Sequence, residues 1–284
     1  SSRLLVMTAQ LTGQAISPGT YKYLSRAIRE AEENNAECLV ILLDTPGGLV
    51  STTHDLIKEI IGSRTPVVVY VTPSGAVAGS AGALITISAH VAAMAPTTTI
   101  GAAHPVPIAG LPGMPQMPDD SEKGTEPDKT ESSEESRPKT QSAMEQKVMN
   151  YMIRWVRSLA QRHGRNAEWA EKAVTESAMA TDQEAMELGV IDLIADDLND
   201  LLAKIDGREV RMGTEESLVL NTKNPVISSI EMWWGEQVLV AIANPNFAAM
   251  LLMFGFLGIV WELYSPGWGV GGTLGVICLV IGFI

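Results

Sequence analysis

Cysteine is nearly absent from this chain. Cys38 and Cys278 are the two in 284 residues, one beside a core-like apolar run and the other inside a long apolar segment. That excludes a disulfide framework and a cysteine-rich zinc site. Histidine is as scarce, and His54, His90, His104 and His163 lack the close spacing of a metal-binding motif, so no metal or cofactor is expected. Positive charge is in deficit: net charge is -13 with a pI near 4.8, which argues against nucleic acid as a partner. No Lys or Arg follows Lys223. A leader with a basic start and an apolar stretch is missing too, because Ser1-Ser2-Arg3 runs at once into a strand-like stretch. The expectation is a mature form or a trimmed chain.

What is present reads as alternating strands and helices. Residues 3–10, 38–43, 67–71 and 91–95 are short apolar runs, the second and third apolar throughout, as parallel strands covered on both faces are. Tyr21, Leu24, Ala27, Ile28 and Ala31 keep helical spacing, and 49–61 reads as a second helix closed by Gly62. This order predicts βαβ units and a largely parallel α/β sheet. Residues 105–140 are rich in Pro, Gly and Met, then in Glu, Ser, Lys and Asp. They hold too little aliphatic surface for a core and are expected to form a mobile loop. Val148, Met152, Trp155, Val156 and Leu159 then mark a helix face, followed by helices at 166–174 and 182–188 capped by Asn166 and Thr181, a strand at 190–194, a helix at 198–205 and a hairpin over 209–220.

The C-terminal fifth is different. Residues 246–264 approach the roughly 20 apolar residues that a spanning helix needs, and 270–284 form a second apolar run. Trp233 and Trp234 are candidates for a membrane interface. The expected division is an α/β domain at 1–222, a linker or interfacial segment at 223–245, and a membrane region at 246–284 that continues beyond residue 284.

The candidate chemistry centres on Ser80, within Val77-Ala78-Gly79-Ser80-Ala81-Gly82. This serine stands between a buried strand and a buried helix, where first-turn amides are unpaired and the helix dipole favours negative charge. Those are the conditions for a nucleophile with an oxyanion site beside it. The plainer alternative is a small-residue packing contact with Ser80 as an N-cap.

Asp44-Thr45-Pro46-Gly47-Gly48 after one buried strand, with Ser80 after the next, resembles the ClpP/crotonase superfamily. Gln146-Lys147-Val148-Met149-Asn150-Tyr151, Arg157-Ser158-Leu159-Ala160, Gly164-Arg165-Asn166, Thr97 to Gly101 and Asn244-Pro245-Asn246 extend the likeness over nearly the whole chain. They are similar to the NfeD family, the membrane-anchored ClpP-class serine proteases also called stomatin operon partner proteins. The resemblance implies Ser80 as nucleophile, Lys147 as general base, and Gly48 and Ala81 N–H groups as oxyanion hole. It implies a multi-pass membrane protein, its protease domain extracytoplasmic, that cleaves hydrophobic segments of a stomatin- or flotillin-like partner and assembles as a homo-oligomer. The apolar edge at Gly47, Leu49 and Val50 suits an extended hydrophobic peptide. Lys147 is expected to be desolvated beside Val148 and Tyr151, since only a neutral amine accepts a proton. His104, 24 residues after Ser80, stays as the alternative base. Two other readings stay open: a scaffold for the stomatin- or flotillin-like protein, and acyl-CoA chemistry on the same fold.

Overall fold

The computed structural model describes residues 4–104, 143–213, 217–264 and 269–282. The chain opens with β1 (Leu5–Thr12), α1 (Pro18–Glu33), β2 (Cys38–Asp44), α2 (Val50–Gly62) and β3 (Val67–Val71). Next come β4 (Val77–Gly79), α3 (Ala81–Ser88), β5 (Val91–Met94) and β6 (Thr99–Gly101). The expected loop at 105–140 lies outside the described residues. The chain resumes with α4 (Ala143–Arg162), α5 (Ala167–Thr175), β7 (Met179–Thr181), α6 (Asp182–Glu187), β8 (Leu193–Ile194) and α7 (Leu198–Ile205). It closes with β9 (Glu209–Arg211), β10 (Ser217–Val219), β11 (Val226–Ile230), α8 (Trp234–Ile242), α9 (Pro245–Tyr264) and α10 (Val270–Gly282).

Six strands form one sheet in the order β11-β1-β2-β3-β5-β8, and every neighbouring pair is parallel. The continuous apolar runs follow from burial on both faces. In β2, Leu39, Ile41 and Leu43 enter the core beneath α1 to α5, while Cys38 and Val40 enter a second core beneath α7. Each such side chain contributes about 1.5–3 kcal/mol through burial. A smaller sheet, β4-β6-β7, stands beside the carboxyl ends of the large one. Its link is Thr45, which bridges to Ala78.

Strand β11 comes from the segment that the sequence sets apart as a linker. Val226 to Ile230 pair with Leu5 to Ala9 of β1, so the sheet runs past residue 222. The α8 that follows is a separate helix rather than the start of the membrane span.

Helix α9 is long and apolar enough to cross a membrane, and α10 is a shorter apolar helix packed on it. Their contact is made of glycines: a Cβ on Gly258 would lie 2.8 Å from the Gly271 carbonyl oxygen, and one on Gly275 would lie 2.7 Å from that of Gly255. Small residues at such positions let two membrane helices approach closely. Glu262 caps the start of α10, accepting the Gly269 N–H at 3.1 Å and the Gly272 N–H at 3.4 Å.

Candidate active site

The loop after β2 is held open by its own backbone. Thr45 N–H donates to Val77 O and Gly79 N–H donates to Thr45 O, which lays the loop along β4. The Thr45 hydroxyl meets Gln14 O at 2.7 Å and accepts the Gly47 N–H at 3.2 Å. On the other side, Ile16 N–H donates to Gly47 O at 2.8 Å and Leu49 N–H donates to Ile16 O at 2.9 Å. In an extended strand these directions alternate, so the N–H and C=O of Gly48 point away from Ile16. Gly48 must be bare: a Cβ there would lie 2.2 Å from Ile16 O.

Ser80 sits at the end of β4 as the N-cap residue of α3, with φ 48° and ψ -107°. A positive φ is strained for a residue with a Cβ, at a cost of about 1–3 kcal/mol, and persists only where the surroundings impose it. The surroundings do so here. Ser80 N–H donates to Gly101 O at 2.8 Å, and its carbonyl accepts from Ala83 and Leu84. Gly101 itself has φ 138° and no room for a side chain, a Cβ being 2.2 Å from Ala178 O. Gly47 passes directly over the serine, where a Cβ would lie 2.8 Å from Ser80 Cβ and 3.3 Å from its Oγ. Ser80 is half-buried, its hydroxyl makes no helix-capping bond, and Ala81 N–H is a first-turn amide without an intrahelical acceptor.

The loop and serine helix thus bring Gly47, Gly48, Ser80 and Ala81 together. Leu49 and Val50 flank them at 38% and 48% exposed. Lys147 is on the second turn of α4. Arg165, just past the end of α4, donates to Ile87 O and Ala89 O at the end of α3, and the two helices are in contact. Tyr151, one turn after Lys147, meets His54 Nε2 of α2 at 3.3 Å and stacks near Trp155.

Two expectations for α4 change. Met152, Val156, Leu159 and Ala160 form its buried face, whereas Val148 and Tyr151 are 44% and 54% exposed. Lys147 is exposed as well, not desolvated by these neighbours. Lys147 has no ion pair among the described residues, and Glu171 pairs with Arg157.

His104, the alternative base, lies beyond β6 with Nδ1 at 2.8 Å from Val174 O of α5. A protonated Nδ1 in that bond leaves the Nε2 lone pair free. His90 is not a surface residue: it is 7% exposed, and its Nδ1 accepts the Val67 N–H at 3.1 Å. His163 meets it edge to face at 5.7 Å. No cluster of metal-ligating residues occurs among the described residues. Sequence reasoning missed Thr45 and Gly101 as positioning residues. The signal for Gly101 was the glycine after Thr99-Ile100; Thr45 carried none, since a threonine in a loop suits many roles.

An open glycine strand facing a strained serine, on a parallel α/β sheet followed by an apolar helical hairpin, defines a class: a membrane-attached α/β protein with a serine at a strand-to-helix junction beside the sheet's carboxyl rim. Comparison gives the family. Residues 11–113 match the model of the NfeD1b N-terminal domain, and residues 246–284 match that of the NfeD integral membrane domain. The chain belongs to the NfeD family. It is 36% identical over 281 residues to membrane-bound protease PH1510 of Pyrococcus horikoshii, covering 99% of this chain and 58% of that relative. The chain thus spans little more than half of that relative's length. Among solved structures, a lysine-to-alanine variant of the 1510-N membrane-bound stomatin-specific protease, in complex with a substrate peptide, superposes with a TM-score of 0.68 at 33% identity over 85% of this chain and 99% of that one. A serine-to-alanine variant of the same protease gives 0.66 at 34% identity, covering 81% and 99%.

Proposed function

We propose that this chain is a membrane-anchored serine endopeptidase. Ser80 Oγ attacks the scissile carbonyl. The Gly48 and Ala81 N–H groups hold the oxyanion, and Lys147 takes the serine proton and returns it to the leaving amine. The observation that carries the reading is the pairing of a strained Ser80 with the free side of Gly48. Two fixed donors aimed at a developing oxyanion contribute about 3–4 kcal/mol each. Gly48 also offers a strand edge to an extended peptide, with Leu49 and Val50 as apolar neighbours. The solved relative named as stomatin-specific supports a stomatin-like substrate; our reading extends this to a flotillin-like one cut in an apolar segment, with the α/β domain on the extracytoplasmic side.

The exposure of Lys147 adds a condition. An ammonium in water is no base, and desolvation is what makes it one. Bound peptide or a second copy of this chain, seated on Val148 and Tyr151, supplies that cover. The free Nε2 of His104 favours a second reading, in which His104 is the base.

The test is cleavage of an apolar peptide by the full chain in lipid, with Ser80→Ala, Lys147→Ala and His104→Ala beside the wild type. Ser80→Ala is expected to lower the rate at least about 1,000-fold and Lys147→Ala about 100- to 10,000-fold. Full activity in Lys147→Ala with loss in His104→Ala moves the base to His104. Full activity in Ser80→Ala removes the peptidase reading.

A further inference from the structure

Helix α8 has two faces of opposite chemistry. Its inward face is clamped to α1. Both carboxylate oxygens of Glu236 accept from Arg26, Nε at 2.9 Å and Nη2 at 2.7 Å, and one also accepts the Trp233 N–H at 2.8 Å. Arg26 Nη2 donates further to Glu231 O at 2.8 Å, and the guanidinium lies 4.6 Å from the centre of a Trp233 ring. The Arg26 hydrogen bonds hold the Glu236 carboxyl below the usual carboxylate range despite its burial. One turn on, the Val240 backbone packs on Gly19, where a Cβ would lie 2.7 Å from Val240 N. Bidentate geometry and burial on both sides fix the helix to the α/β domain.

The outward face is a stripe of Trp234, Gln237, Val238 and Ala241, spaced as one side of a helix and exposed throughout. Trp234 is 82% exposed and Val238 47%. The stripe carries no charge, because Glu236 is the sole ionisable residue of α8 and is turned inward. Only Ala243 and Asn244 separate α8 from α9, and the two helices are in contact.

We propose that this stripe rests in the bilayer interface, with the Trp234 indole at the boundary of headgroups and acyl chains. The Arg26–Glu236 clamp then makes the membrane a fixed reference surface for the α/β domain. Continuity with the integral membrane domain at residues 246–284 selects lipid as the occupant of this face. An uncharged face with one bare indole suits that boundary. The lack of Lys and Arg after Lys223 makes the contact aromatic and apolar, so it is indifferent to headgroup charge. Of the tryptophan pair, Trp234 faces the lipid, while Trp233 is engaged by Arg26.

The test uses the full chain in nanodiscs, with every tryptophan but Trp234 replaced by Phe, and a matching variant that keeps only Trp155. Lipids brominated near the headgroup are expected to quench Trp234 several-fold more than Trp155, equally in zwitterionic and anionic discs. Val238→Cys with Cys278→Ser, carrying a nitroxide, reports the same depth in an otherwise native chain if the Phe background does not fold. Trp234 open to aqueous iodide overturns the proposal. So does shielding without bromolipid quenching, the result for a second copy on this face. Arg26→Met is expected to speed amide exchange in α8 at least tenfold with Trp234 still in lipid; unchanged exchange overturns the clamp.

Discussion

The site is built by residues that cannot carry a side chain, and these set its tolerance. Gly101 accepts the Ser80 N–H, has φ 138°, and would leave 2.2 Å between an added methyl and Ala178 O. Gly101→Ala is expected to destabilise the α/β domain by about 3 kcal/mol, read as a lower thermal midpoint of the full chain in detergent. Gly62→Ala is the contrast: nothing lies within 4 Å of that position, and the change is expected to leave the midpoint level or raise it by the equivalent of about 0.4–1 kcal/mol. At this scale the sequence was informative where chemistry and conformation coincide. A serine amid glycine and alanine at a strand-to-helix junction suits a packing contact equally, and it was the Asp44 to Gly48 loop and the family resemblance that singled out Ser80. Exposure of one lysine depends on which face of α4 meets α2 and α3. Periodicity leaves that phase open for a helix whose first turns extend past its buried face, as at Val148 and Tyr151.

At the scale of elements, the long helices and buried strands were legible because burial imposes a period on them. Helix α7 and strand β3 have the limits that the pattern predicts. The three-residue strands β4, β6 and β7 were not, since three residues hold no period and their pairing is set by Thr45 and Ser80 from elsewhere in the chain. One junction of elements has a measurable pH response. His90, between α3 and β5, and His163, after α4, are both held neutral. Burial, with Arg162 and Arg165 adding to it, brings His90 down to about 4. Burial, then Arg165, His90 and Arg162, brings His163 down to about 3. The unfolded chain protonates near 6.5, so it binds more protons than the folded chain as pH falls below that value. Stability from this pair is complete above pH about 6.5 and declines down to pH about 4 for His90, by on the order of 3 kcal/mol, and down to pH about 3 for His163. His90→Asn, which still offers an oxygen to the Val67 N–H, is expected to flatten the fall of the thermal midpoint over that interval. An unchanged slope sinks the assignment.

For the whole molecule, composition gave the division between an acidic α/β part and an apolar end, and the seam between them escaped it. Val226-Ile227-Ser228-Ser229-Ile230 is a half-exposed edge strand, so its polar residues look like a linker until β1 is beside it. Because all six strands of the large sheet are parallel, their carboxyl ends share one rim. Asp44 and Val71 lead from that rim to Ser80, and Ile230 leads from it to α8 and the membrane. On the proposed seating of α8 the chain is a ruler: its zero is the lipid surface and its mark is the serine, so a protruding polypeptide meets the serine at a set height above the bilayer. Given the peptidase reading, α8 and not α9 sets that mark, so adding one helical turn, about 5 Å, between Ala243 and Asn244 is expected to leave it in place. Mass spectrometry of the products is then expected to find an unmoved cut, and a cut one or two residues farther from the membrane means that the height is set by α9 instead.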